Sequence, residues 1–194
     1  MDFAELLRLL ENIARTGTVT EIDESKWRVR VQSGGLETTW LRWTAQRAGA
    51  FKVWVPPSIG EQVWFLCLGG NTDVAFIGGS LYSDDNPAPG ASRNEMVMTA
   101  PDGAAFRYDA EAGALQVTGI KSATIESSVK VTLDTPEVEC TNLLTTRSLN
   151  VREGGEMHGN IAHTGGAFTS NGVQVDDHDH GEVERGGDWT VGTK

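Results

Sequence analysis

The sequence predicts an all-β protein: a short N-terminal helix and an OB-fold barrel, then a trimeric intertwined β-helix ending in a metal-binding H-x-H apex. Three observations carry that expectation. Short apolar strands crowd between Thr18 and Tyr82, broken by Ser33-Gly34-Gly35, Pro56-Pro57 and Gly69-Gly70. From Asn94 to Val175 narrow period-two segments follow one another, each with one or two apolar residues on one face. His178-Asp179-His180 then closes the pattern. In an extended strand residues i and i+2 share a face, so the two imidazoles form half of a metal site.

Taken in order, residues 1–17 read as a helix. Phe3, Leu6, Leu7, Leu10, Ile13 and Ala14 recur at helical spacing, with Asp2 placed to cap the start and Gly17 the end. Such a helix packs either on its own domain or against symmetry mates, and the sequence leaves both open. Residues 18–83 read as the barrel. Val19–Glu21, Trp27/Val29/Val31, Thr39–Trp43, Val53–Val55, the apolar run Val63–Leu68 and Ala75–Ile77 supply its strands. Closure into an OB-type barrel removes exposed edges. Five of the six tryptophans (Trp27, Trp40, Trp43, Trp54 and Trp64) fall here. They suit core or subunit interface better than a stacking platform for single-stranded nucleic acid, because the chain carries a net charge of -11.

Residues 84–93 form a linker around Asp84-Asp85-Asn86-Pro87-Ala88-Pro89-Gly90, rich in turn formers and without periodicity. Residues 94–175 form the shaft. Met96/Met98, Leu115/Val117, Val129/Val131/Leu133, Leu149/Val151 and Val173/Val175 mark apolar stripes too narrow to bury themselves. They cannot fill a single-chain solenoid, but three chains sharing one thin core could. Residues 176–194 form the apex.

Composition agrees. At 194 residues, 39% hydrophobic content is low and 23 glycines are many, as suits turns and repeats rather than a thick core. Cys67 and Cys140 have no CxxC spacing and lie in apolar strand-like contexts, where buried free thiols are expected. The acidic N-terminus lacks a secretory pattern, and synthesis in the cytoplasm is expected.

Many stretches in collinear order make the chain resemble the central spike of P2-type contractile-tail phages, the baseplate assembly protein V family, with equivalents in R-type bacteriocins. Among them are Ile13-Ala14-Arg15-Thr16-Gly17, Pro57-Ser58-Ile59-Gly60-Glu61-Gln62-Val63 and Pro101-Asp102-Gly103-Ala104. Val131-Thr132-Leu133-Asp134-Thr135-Pro136 and Gly155-Glu156-Met157-His158-Gly159-Asn160-Ile161 continue the series. The resemblance implies a homotrimer with an OB-fold collar, seated on baseplate hub and tail-tube proteins and driven through the bacterial outer membrane when the sheath contracts. It also implies one buried iron, held by six histidines from three chains, onto which His178 and His180 map. The family's tips commonly run on to a Thr-Gly-x-Pro-like end, whereas this chain continues through Trp189 to Lys194 without proline.

The chemistry of the implied site is coherent. Three strands about a threefold axis, each offering two imidazoles, make two stacked triangles of nitrogen. Six neutral nitrogens suit iron(II) or another late divalent metal, whereas structural zinc prefers four ligands. With every position filled by protein, the ion is structural, and no enzyme is expected. His158 and His163 lack an i+2 partner and are assigned no metal. Asp102, Asp109 and Glu111 mimic an acid pair near a glycine turn, but no GxSxG, P-loop or HExxH motif occurs. Some larger spikes insert a muramidase between barrel and shaft, and the region around Asn86 has no room for one. The rival readings are a trimeric receptor-binding or polysaccharide-degrading tailspike and a histidine-metal hydrolase. The first wants an aromatic-lined shaft, and this shaft offers only Phe106, Tyr108 and Phe168.

Overall fold

A computed structural model describes residues 2–176, and the chain divides into two units, one up to Glu126 and one from Ser127 onward. The first begins with α1 (Phe3–Glu11), whose N-cap Asp2 accepts a hydrogen bond from the Glu5 N–H at 2.8 Å. The helix stops at Asn12, five residues before Gly17. Gly17 instead lies inside β1 (Ala14–Asp23), where a Cβ would collide with the Gln32 carbonyl oxygen. Glycine is needed there for close strand approach, not for capping.

The barrel continues with β2 (Arg28–Ser33), β3 (Leu36–Glu37), β4 (Leu41–Trp43), β5 (Gln62–Cys67) and β6 (Ala75–Leu81). The strand order is β1-β5-β6-β4-β2-β3, and β1 also pairs with β2, so five strands close a ring with β3 appended. All pairings are antiparallel except β4 with β6, where Arg42 faces Phe76 and Trp43 faces Ile77. Strict alternation fills the interior: Val29, Val31 and Ser33 from β2, and Val63, Phe65 and Cys67 from β5. Val19, Leu41 and Ile77 complete the core. Two polar groups inside it are satisfied. Thr38 Oγ1 accepts from the Val31 N–H at 3.0 Å, and Ser33 Oγ donates to the Thr16 carbonyl at 2.7 Å.

Three strand expectations shift. Trp27 sits in the β1–β2 turn with a left-handed φ of 57°, so β2 starts one residue later, at Arg28. Val53–Val55 belongs to the loop between β4 and β5, tied by an Ala48–Lys52 bridge and by the Val53 N–H, which donates to the Arg47 carbonyl at 3.0 Å. Trp43 is half-buried and packs against the core, whereas Trp27, Trp40, Trp54 and Trp64 are exposed.

Within the same unit β7 (Glu95–Thr99), β8 (Ala105–Asp109) and β9 (Ala114–Thr118) form a three-stranded antiparallel meander. Met96 and Met98 on β7, and Leu115 and Val117 on β9, remain exposed. From 120 to 167 the described chain forms no strand and makes no backbone-to-backbone hydrogen bond. Only local side-chain contacts occur, such as Ser127 Oγ with the Lys130 carbonyl at 3.1 Å. A short hairpin, β10 (Thr169–Ser170) with β11 (Val173–Gln174), ends the described chain, turning through Asn171 and Gly172 at φ 50° and 82°. Cys67 is buried, and burial pushes its thiol pKa up. Cys140 is exposed in the single chain, because no strand of the same chain covers it.

Candidate functional site

The approach to the apex is held by the closing hairpin. The Val175 N–H donates to the Phe168 carbonyl at 2.7 Å, and Asp176 Oδ1 accepts from the Phe168 N–H at 3.1 Å. His163 Nδ1 lies 3.6 Å from Asp176 Oδ2, and its ring tilts against Phe168 with centroids 6.0 Å apart. His158 is well exposed, 3.4 Å from a Glu156 carboxylate oxygen. Among the described residues no three His, Cys, Asp or Glu side chains gather as a metal site would require. His178 and His180 lie outside the described residues. Their donor chemistry fits a late divalent ion: two imidazoles one residue apart, enough for part of a coordination sphere and not the whole.

The carboxylates that resembled an acid pair have local duties. Asp109 Oδ1 accepts from the N–H groups of Glu111 and Ala112 at 3.0 and 3.1 Å, closing the β8–β9 turn. Asp102 Oδ1 accepts from the Ala104 N–H at 3.2 Å. Glu95 fastens the linker to the meander. Its Oε1 accepts from the Ala91 and Ser92 N–H groups at 2.7 and 2.8 Å, and its Oε2 pairs with Arg107 at 2.7 Å.

These backbone donors hold both the Glu95 and the Asp109 carboxyls below their ordinary pKa values, from Ser92 then Ala91 for Glu95 and from Ala112 then Glu111 for Asp109. A depressed folded-state pKa stabilises the fold above the ordinary carboxylate range and loses that contribution as the pH falls through the depressed value. Amides of residues 95–118 are therefore expected to lose exchange protection below about pH 4. Glu95→Gln should lower that protection at neutral pH and flatten its acid dependence. An unchanged acid profile in that variant would remove Glu95 from the account.

Two apolar surfaces are left exposed by the described residues. On α1, Phe3, Leu6, Leu7 and Leu10 are exposed, although a nine-residue helix is marginal without packing. Along the extended segment Ile125, Val129, Leu133, Leu143 and Leu149 are exposed, Val129 to 92%. About fifty residues thus lack backbone-to-backbone pairing and leave aliphatic side chains exposed. Ordering such a chain costs conformational entropy that its own contacts do not offset.

An OB-like barrel, a strand meander and then a long segment without strand pairing define a modular, mostly β protein. The family comparisons give that class its particular form. Residues 15–82 match the family described as the type VI secretion system/phage-baseplate injector OB domain, and residues 119–171 match the phage spike trimer family. The chain is 46% identical to the spike protein of Escherichia phage P2 over 191 residues, covering 91% of this chain and 90% of that protein. It belongs to the phage spike family.

Proposed function

We propose that the protein is the central spike of a contractile-tail baseplate, a homotrimeric needle that pierces the bacterial outer membrane on sheath contraction. The observation that carries the reading is the segment 120–167, which forms no strand of its own within a chain of a spike family. Three copies wound together would pair its backbone groups and cover its aliphatic stripe at once. Chains so intertwined separate only by breaking many hydrogen bonds together, which is the property a driven rod needs.

In this reading the protein is not an enzyme and its work is mechanical. One iron, held by His178 and His180 of three chains, closes the tip as a structural clasp. The barrel and α1 seat the rod on hub and tail-tube proteins of a phage tail or an R-type bacteriocin particle. The deciding measurement is the native mass of the purified full chain. Three times the 20.9 kDa chain mass is expected. A monomer at concentrations well above micromolar would overturn the reading.

A further inference from the structure

One groove on the barrel gathers three tryptophans and three cations. About 440 Å3 in volume, it is lined by Trp27, Trp43 and Trp54 together with Arg42, Arg47 and Lys52, and by no carboxylate among the described residues. Trp43 and Trp54 tilt against one another at 54°, with centroids 5.6 Å apart. The loop bearing Arg47, Lys52 and Trp54 is drawn into a tight turn by the Val53 N–H, which donates to the Arg47 carbonyl at 3.0 Å, and by the Ala48–Lys52 bridge. The cations therefore stand on a constrained frame.

Two features mark the groove as built for something outside the chain. Arg42, Arg47 and Lys52 find no carboxylate partner among the described residues, and neither do Arg15 and Arg28 on the same barrel, but those two donate instead to Ser33 Oγ and to the Trp40 carbonyl. Trp27 is 63% exposed at a left-handed φ of 57°, a conformation that disfavours a large side chain. The turn that imposes it is pinned by Asp23 Oδ1, which accepts from Ser25 Oγ at 2.6 Å and from the Lys26 N–H at 3.1 Å. Local strain thus holds a tryptophan out over a cationic floor.

Charge is also segregated along the sequence. Residues 15–82 carry seven Lys and Arg against six Asp and Glu, while the rest of the chain carries nine against twenty-one. From this we infer that the groove docks a short acidic segment of a partner protein, its carboxylates against Arg42, Arg47 and Lys52 and its apolar side chains on the three tryptophans. Tryptophan and arginine are the residues that most often dominate protein interfaces. A polynucleotide is disfavoured because its dense charge is repelled at long range by a chain of net charge -11. Three cations match the few carboxylates of a peptide, and the groove has the size of a small-ligand pocket. The inference rests on the proposed seating of the barrel on another baseplate protein and adds the chemistry of the contact.

The test uses the full chain and a short fluorescein-labelled peptide of repeating Asp-Glu-Leu-Phe, read by anisotropy and by tryptophan quenching. Saturable binding that weakens with salt is expected, with loss of about tenfold in affinity or more in Arg47→Glu/Lys52→Glu. Trp54→Ala should weaken it without changing the salt slope. The double reversal Lys121→Glu/Lys130→Glu, which alters charge equally but lies outside the groove, should leave binding within about twofold once corrected for ionic strength. Absence of saturable binding, equal loss in both charge reversals, or tighter binding of oligothymidylate would overturn the inference. Native mass and the melting of the barrel are followed on the same samples. A failed peptide experiment with an intact trimer then counts against the groove alone, and a monomer counts against the spike.

Discussion

Replacing His178 and His180 together by alanine is expected to abolish metal binding while leaving the trimer assembled. The wild-type protein should carry about one iron per three chains, because each chain offers two imidazoles and an octahedral ion takes six. Structural metal sites contribute on the order of 10 kcal/mol when no preformed apo site exists, so the effect at the tip is large. It should also be local, since in the proposed trimer the segment from 120 to 167 would supply backbone pairing and apolar burial along about fifty residues of each chain. Elemental analysis, native mass and limited proteolysis of the variant check all three statements. Iron should fall to background, the trimer mass should persist, and cleavage should begin near the C-terminus. Retained iron would remove the two histidines from the site. Loss of the trimer would show that the clasp, not the intertwined shaft, holds the chains together. One zinc per chain in the wild type would instead favour the open site of a hydrolase.

Much of the first unit was legible because its signals are local. Asp2 caps α1 as the spacing implied, and alternation in Val29/Val31 marks the inward face of β2, whereas the unbroken apolar run Val63–Leu68 leaves its inward face open until the structure buries Val63, Phe65 and Cys67. The misreadings share a cause: a residue type was weighed without its backbone. Trp27 fits a strand pattern, but the Asp23-centred turn takes it out of the ladder. Val53–Val55 has strand composition, yet Pro56-Pro57 directly follows and removes two ladder donors. Gly17 looked like a helix end because glycine serves both left-handed caps and close strand contacts, and only the register opposite Gln32 separates the two. The tryptophans were assigned to core or interface together. Trp43 does pack against the core, while the exposure of the other four leaves them outside it, since five strands already enclose a core of smaller side chains.

The groove cations escaped notice because net charge was averaged over the chain, which hid a barrel of balanced charge inside an acidic protein. Cys140 was misjudged for a related reason. Its apolar neighbours promise burial, but the single chain leaves it exposed, and in the proposed trimer its burial would depend on other chains. The apex histidines, His178 and His180, were legible as chemistry, while their placement lies outside the described residues.

Phe65→Ala is expected to unfold the barrel selectively. Phe65 is fully buried at the centre of β5, flanked by Arg15 on β1 and Ile77 on β6, and it is the largest side chain in the core. Truncating a buried phenylalanine costs about 3–5 kcal/mol, the lost transfer energy plus the cavity left behind. A domain of this size is stable by only roughly 3–10 kcal/mol, so the change consumes much or all of that margin. The core cannot easily collapse around the gap, because closure fixes the radius of a five-stranded ring. Residues 120–167 share no strand pairing with the barrel, so the protection from exchange that the proposed trimer would give them should survive the substitution. Hydrogen exchange resolved by peptide, comparing 15–82 with 120–167, reads both halves of this statement. Loss confined to the barrel is expected. Simultaneous loss in both regions would show that the barrel is needed to order the extended segment, and the two units of the chain would then fold as one.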